Sequence, residues 1–114
     1  MTGPAFAALR EIALALPGVE EGTSHGTPAF RVRGKLFLRV WEDGETLVLK
    51  TDWHERDFLL QSDPAVFFTT DHYDGYPIVL VRLARANPEQ LRTLVADSWR
   101  RHAPKRLVVG HDAR

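Results

Sequence analysis

Four basic residues fall within nine positions of this chain, Arg31, Arg33, Lys35 and Arg39. Side chains two apart on a strand share a face, so this spacing gathers positive charge on one side of a hairpin, with Phe37 and Trp41 on the Lys35 and Arg39 face. Lys50 and Arg82 stand on neighbouring predicted strands. A basic sheet face with interleaved aromatics has the chemistry that nucleic acid needs: cations for phosphates and rings for stacking on bases. The competing arrangement is a solvated sheet face whose arginines pair with Glu42, Glu45 or Asp71. The chain holds 15 basic and 15 acidic residues, so a nucleic-acid surface would rest on where charge lies rather than on its total.

The second concentration of reactive side chains is TTDHYDGYP, residues 69–77. Asp74-Gly75 is a favoured pair for a two-residue hairpin turn, because both types tolerate positive φ. Tyr73 and Tyr76 would then face each other across the tip, a cross-strand aromatic pair contributing about 0.2–1 kcal/mol. Pro77 has no N–H for a ladder and is expected to face outward at an edge. His72, Tyr73 and Tyr76 on a rigid tip also suit recognition. With Lys35 and Lys50 they would line a pocket for a small molecule or an anion. An exposed sheet edge serving as a protein-interaction module is a third possibility.

Other chemistries lack their residues. There are no cysteines, which removes disulfides, thiolate ligands and thiol catalysis. His25, His54, His72, His102 and His111 are scattered without ligand spacing, so no metal is expected. Ser24-His25 lies in TSHGTP, a glycine- and proline-punctuated loop without a nucleophile elbow. Glu20-Glu21 and Glu42-Asp43 read as solvated charges beside a helix end and a turn, since acid–base work needs burial to shift a pKa. Gly34-Lys35 falls far short of a phosphate loop, and no dinucleotide fingerprint is present. The expectation is a binding protein without a cofactor, not an enzyme. No apolar run reaches the roughly 18 residues of a membrane helix, and the first residues lack a secretory pattern, so a cytoplasmic protein is expected.

The elements that must position these groups follow from periodicity. Residues 3–16 form a helix with Pro4 in its first turn and Phe6, Leu9, Ile12, Ala13 and Leu16 on one stripe. Residues 28–50 turn to period two: strands Phe30–Arg33, Lys35–Trp41 and Thr46–Lys50, joined at Gly34 and at Asp43-Gly44. Leu36, Leu38 and Val40 should point to the core. Residues 51–61 return to helix, with Asp52 and Glu55 spaced as a capping box. Val66–Thr70 and Ile78–Leu83 read as strands. Asn87-Pro88 starts a helix that carries Leu91, Leu94, Val95, Ser98 and His102 on one face and stops before Pro104. Trp99 belongs to its core edge, while Arg100 and Arg101 favour the helix C-terminus. The order α-β-β-β-α-β-β-α with short links predicts a single domain over residues 1–114, an α+β antiparallel sheet with helices packed on one face.

The runs LPGVEE, PAFRVRGKLFLRV, LVLK, DHYDGYPIVLVRL and SWRRHAPKRL, in that order over about residues 6–107, resemble the MmcQ/YjbR family. The resemblance implies a frataxin-like fold in a double-wing arrangement, and it implies DNA as a partner through a label that comes largely from that wing shape. By position, Lys35, Lys50, His72, Tyr73 and Tyr76 match the family pattern, and no catalytic residue is carried over. Frataxin-like proteins hold iron on an acidic first helix and strand. Here the first helix has only Glu11, with Glu20 and Glu21 after it, so no iron role is implied.

Overall fold

The computed structural model describes residues 3–113. Helix α1 (Pro4–Leu14) leads into a four-strand meander, β1 (Val19–Ser24), β2 (Thr27–Val32), β3 (Lys35–Val40) and β4 (Thr46–Lys50). Helix α2 (Trp53–Ser62) then precedes β5 (Phe67–Phe68) and β6 (Ile78–Arg82). A 3-10 turn at Leu83–Arg85 leads to α3 (Pro88–His102) and α4 (Lys105–Asp112). The strands form one sheet in the order β1-β2-β3-β4-β6-β5, every neighbouring pair antiparallel. The α+β architecture expected from periodicity is therefore present, with β1 and α4 as additions.

Both hairpins of the meander's first half turn on two residues with positive φ, His25 (53°) and Gly26 (78°), then Arg33 (51°) and Gly34 (81°). Such turns twist in the same sense as their strands, which is why they close tight hairpins. TSHGTP is thus the tip of the β1–β2 hairpin, not a loop, with Ser24 paired to Thr27.

The main core lies between the sheet and the helices. Leu9 and Ala13 of α1, Leu59 of α2, and Leu91, Leu94, Val95 and Trp99 of α3 pack with Phe30, Val32, Val40, Leu47, Leu49 and Val81 of the sheet. The start of α3 is capped as its sequence predicts: the Asn87 side chain accepts hydrogen bonds from the N–H groups of Glu89 and Gln90. Asp52 likewise accepts from the Glu55 N–H at the start of α2. On the opposite sheet face Val48, Leu80 and Tyr73 form a second, smaller cluster with Trp41, Phe68 and Ile78 at its margin.

Strand β3 breaks the simple alternation. Phe30 of β2 faces Leu38 and Arg31 faces Leu36, so Phe37 has no partner across the ladder. One extra residue on one strand is a β-bulge, and it puts neighbouring side chains on the same face. Phe37 and Leu38 both enter the main core, whereas Leu36 comes to the other face. The expected grouping of Phe37 with Lys35 and Arg39 is thereby overturned: Phe37 is core, and Lys35 opposes Val32, a residue of the helix-covered side.

Candidate functional site

The face without helices carries a groove of about 510 Å³. Leu36, Val48 and Ile78 form its floor. Trp41 and Glu42 close one end, with Ser24 and His25 of the β1–β2 turn as one wall and His72 and Tyr73 as the other. Arg39 and Lys50 supply its cations. Among the described residues, no group of three or more His, Cys, Asp or Glu side chains gathers as a metal would need.

Arg39 is the central group, 8% exposed. Its Nη2 donates to the Tyr73 hydroxyl at 2.7 Å, and its Nη1 donates to Glu42 Oε1 at 2.6 Å. Longer bonds of 3.4 Å run from Nη1 to Thr27 Oγ1 and to the Val40 carbonyl. Burial works against the charge, but the bonds to Glu42 and Tyr73 outweigh it and raise the guanidinium pKa. The same bond holds the Glu42 carboxyl below the usual carboxylate range. Arg39 faces Val48, and Lys50 lies two residues further along β4. The two cations are therefore diagonal neighbours, with Cα atoms roughly 7–8 Å apart.

Residues 69–77 build the wall instead of a hairpin tip. The only ladder between β5 and β6 pairs Phe67 with Val81 and Phe68 with Leu80, and Gly75 is not at positive φ. A β-turn closes on Tyr73–Tyr76, the Tyr76 N–H donating to the Tyr73 carbonyl. Three tethers hold this segment. Arg56 of α2 donates to the Asp74 carbonyl and carboxylate, each at 3.1 Å. Thr51 donates its N–H and its hydroxyl to the Pro77 carbonyl. Arg39 holds Tyr73. The two tyrosines do not clip together: Tyr73 is buried, with His72 edge-on to its ring at 4.6 Å, while Tyr76 is 55% exposed and outside the groove. Pro77 precedes β6, an interior strand of the sheet, rather than an edge.

Of the nine residues singled out from the sequence, Arg39, Lys50, His72 and Tyr73 converge on the groove. The others disperse. Arg31 leans across β1 to the Thr23 carbonyl, and Arg33 sits in the β2–β3 turn. Lys35 lies in the helix-side phase of β3. Arg82 covers the Phe68 ring at 4.1 Å and donates to the Pro64 and Ala65 carbonyls. The turn and the bulge take Arg33 and Lys35 away from Arg39, whereas Arg31 and Arg82 remain on the open sheet face but outside the groove. Outside the nine, Trp41 lies on the Arg39 face as its alternation predicts and Glu42 pairs with Arg39 as the solvated-face alternative predicts, whereas Ser24 and His25 join the groove without having been expected there. His25-Gly26 between Ser24 and Thr27 was the available signal, a two-residue turn pair ending in glycine.

His102, at the end of α3, reports on the lysines. Burial lowers its pKa, and the charges of Lys50, Lys35 and Arg101 lower it further, against the raising effect of its Nδ1–H bond to the Ser98 carbonyl at 2.7 Å. A folded-state pKa below the unfolded value means protonation favours the unfolded chain. The contribution is whole above about pH 6.5, the unfolded value, and is lost as pH falls through the folded one. Denaturant titrations at pH 7.5 and 5.5 check this: the wild type loses more stability over that interval than His102→Gln. An equal loss in both proteins contradicts the assignment.

The YjbR family model matches residues 14–101, most of the chain. Uncharacterised protein Rv2570 of Mycobacterium tuberculosis and uncharacterised protein Mb2600 of Mycobacterium bovis are each 50% identical over 50 residues. That match covers 44% of this chain and 39% of each of those proteins. Among solved structures, Deinococcus radiodurans protein DR2400, with a DUF419 domain, superposes with a TM-score of 0.68 at 24% identity, over 80% of this chain and 72% of that one, a likeness of fold. On the extent of the family match, this chain belongs to the YjbR family.

Proposed function

We propose that the protein is a cytoplasmic binding module that takes a small organic anion in the groove on the open sheet face. The observation that carries this reading is the diagonal pair Arg39 and Lys50 above an apolar floor of Leu36, Val48 and Ile78. A concave apolar surface with a few convergent polar groups is the usual form of a small-ligand site. The geometry favours this over a nucleic-acid face, because Arg31 and Arg82, although on the same sheet face, lie outside the groove and are bonded to backbone carbonyls, while Arg33 is in a turn and Lys35 is on the helix side.

The test is a two-dimensional amide NMR titration with benzoate, phenyl phosphate and a nucleoside monophosphate at low salt. The expected result is saturable shifts at Lys50, His72 and Tyr73, with affinity at least about tenfold weaker in Lys50→Glu, a difference of about 1.4 kcal/mol. Absence of shifts at the groove across the panel, or equal affinity in the variant, removes the proposal. Duplex DNA titrated over a range of salt is the discriminating arm. Binding with a log–log slope near about −3.6, for about four phosphates, that is lost in Arg31→Glu with Arg33→Glu and unaffected by Lys50→Glu, replaces the groove with an outer surface.

A further inference from the structure

The groove reading leaves Glu42 unexplained, and the inference below rests on that reading. The Arg39 guanidinium is held independently of Glu42, by the Tyr73 hydroxyl at 2.7 Å and by Thr27 and the Val40 carbonyl. Glu42 has the opposite character. Its side chain is 56% exposed, and the Arg39 bond is its one side-chain tie among the described residues. Nor does the β3–β4 turn need it. Asp43 organises that turn, accepting from the N–H groups of Glu45 and Thr46 and from the Thr46 hydroxyl, while the Trp41 N–H donates to the Thr46 carbonyl. Glu42 can leave Arg39 without disturbing either the cation or the turn.

We infer that Glu42 is a built-in competitor, occupying Arg39 until the carboxylate or phosphate oxygens of an organic anion replace it. The exchange breaks one guanidinium–oxyanion bond and makes another of the same kind, so charge alone is close to neutral. What decides the outcome is the rest of the ligand: an apolar body covering Leu36, Val48 and Ile78, within reach of the Lys50 ammonium. The ligand class that follows is an organic acid or phosphate monoester with a hydrocarbon or ring body. Inorganic phosphate, which has no body, should compete poorly with a carboxylate already in place.

The test compares wild type with Glu42→Gln, a change on an exposed side chain, in the full chain. Each is titrated with phenyl phosphate, benzoate and inorganic phosphate, following the Arg39 Nε–H and Lys50 backbone signals. If Glu42 holds Arg39 about nine-tenths of the time, the apparent affinity of the wild type is reduced about tenfold. The expected result is therefore about tenfold tighter binding of phenyl phosphate or benzoate in Glu42→Gln, with inorganic phosphate at least about tenfold weaker than phenyl phosphate in both proteins. Which of the two organic probes binds better assigns the head group. Equal or weaker organic-anion binding in Glu42→Gln, with groove signals still moving, overturns the competitor role and leaves the groove reading standing. Inorganic phosphate binding as well as phenyl phosphate overturns the ligand class. Silence at the groove in both proteins overturns this inference together with the proposed function.

Discussion

Trp99→Ala is expected to cost about 3–5 kcal/mol, the range for removing a fully buried large aromatic. Trp99 is completely buried in the main core, and its Nε1–H donates to the Pro17 carbonyl at 2.9 Å. The side chain thus ties α3 to the corner between α1 and β1 while filling the space beneath it. Domains of this size have total stabilities of about 5–15 kcal/mol, so the variant loses a large share of its stability and would be partly unfolded only if the parent lies at the low end of that range. Trp99→Phe separates the two contributions. It keeps much of the ring packing but leaves the Pro17 carbonyl without its donor, which costs about 1–3 kcal/mol. Urea denaturation of the three proteins checks this, with the slope on denaturant unchanged if the transition stays two-state. A Trp99→Ala loss under about 1 kcal/mol would sink the placement of this side chain.

Arg39→Met has the second large effect, on binding as well as stability. Methionine keeps much of the stem and deletes the fork, leaving the Tyr73 hydroxyl and Glu42 without their shared donor. An unpaired buried hydroxyl costs about 1–3 kcal/mol. Loss of a charge-assisted bond of about 1.5–3 kcal/mol should weaken phenyl phosphate binding by about ten- to a hundredfold. Arg39→Lys retains charge but lacks the planar fork that spans Tyr73 and Glu42, so its affinity should fall between the two. A double-mutant cycle with Tyr73→Phe measures the tie itself, and a coupling of at least about 0.5 kcal/mol is expected for groups in contact. Additive effects would mean that Tyr73 does not position Arg39.

Strong local rules made much of the scaffold legible. Pro4, the apolar stripe of α1, Asn87-Pro88 and the run of Leu91, Leu94 and Val95 mark their helices by start signals and periodicity that lie within each segment. The two unread elements are weak for physical reasons. VEEGTS of β1 is an outer strand whose four middle residues are exposed, so it needs no apolar alternation. KRLVVGHD of α4 follows Pro104 directly, includes a glycine and has no fully buried residue.

The candidate site was legible in part, and for a definable reason. Lys50, His72 and Tyr73 stand out by type. That Tyr73 meets Arg39, 34 positions away, depends on the long β5–β6 connection, whose Asp74-Gly75 pair was read as a hairpin. Nor does composition reveal a bulge. Leu36-Phe37-Leu38 is an unbroken apolar run whose members could alternate in either phase, and only the pairing with β2 decides which one is counted twice.

That doubled position gives the third strand something like a reading frame. The residues before Phe37 keep one count of inside and outside, and those from Leu38 to Trp41 keep the other. A homologue shortened by a single codon between Lys35 and Arg39 would return to even spacing with its β2 partner. Every other side chain would keep its side of the sheet, Arg39 at the groove and Val40 in the core, and only the extra core ring of Phe37 would be lost. A length change within β3 is therefore tolerated in register only as the loss of that one extra residue, and an added residue would reverse the sides of Arg39 and Val40.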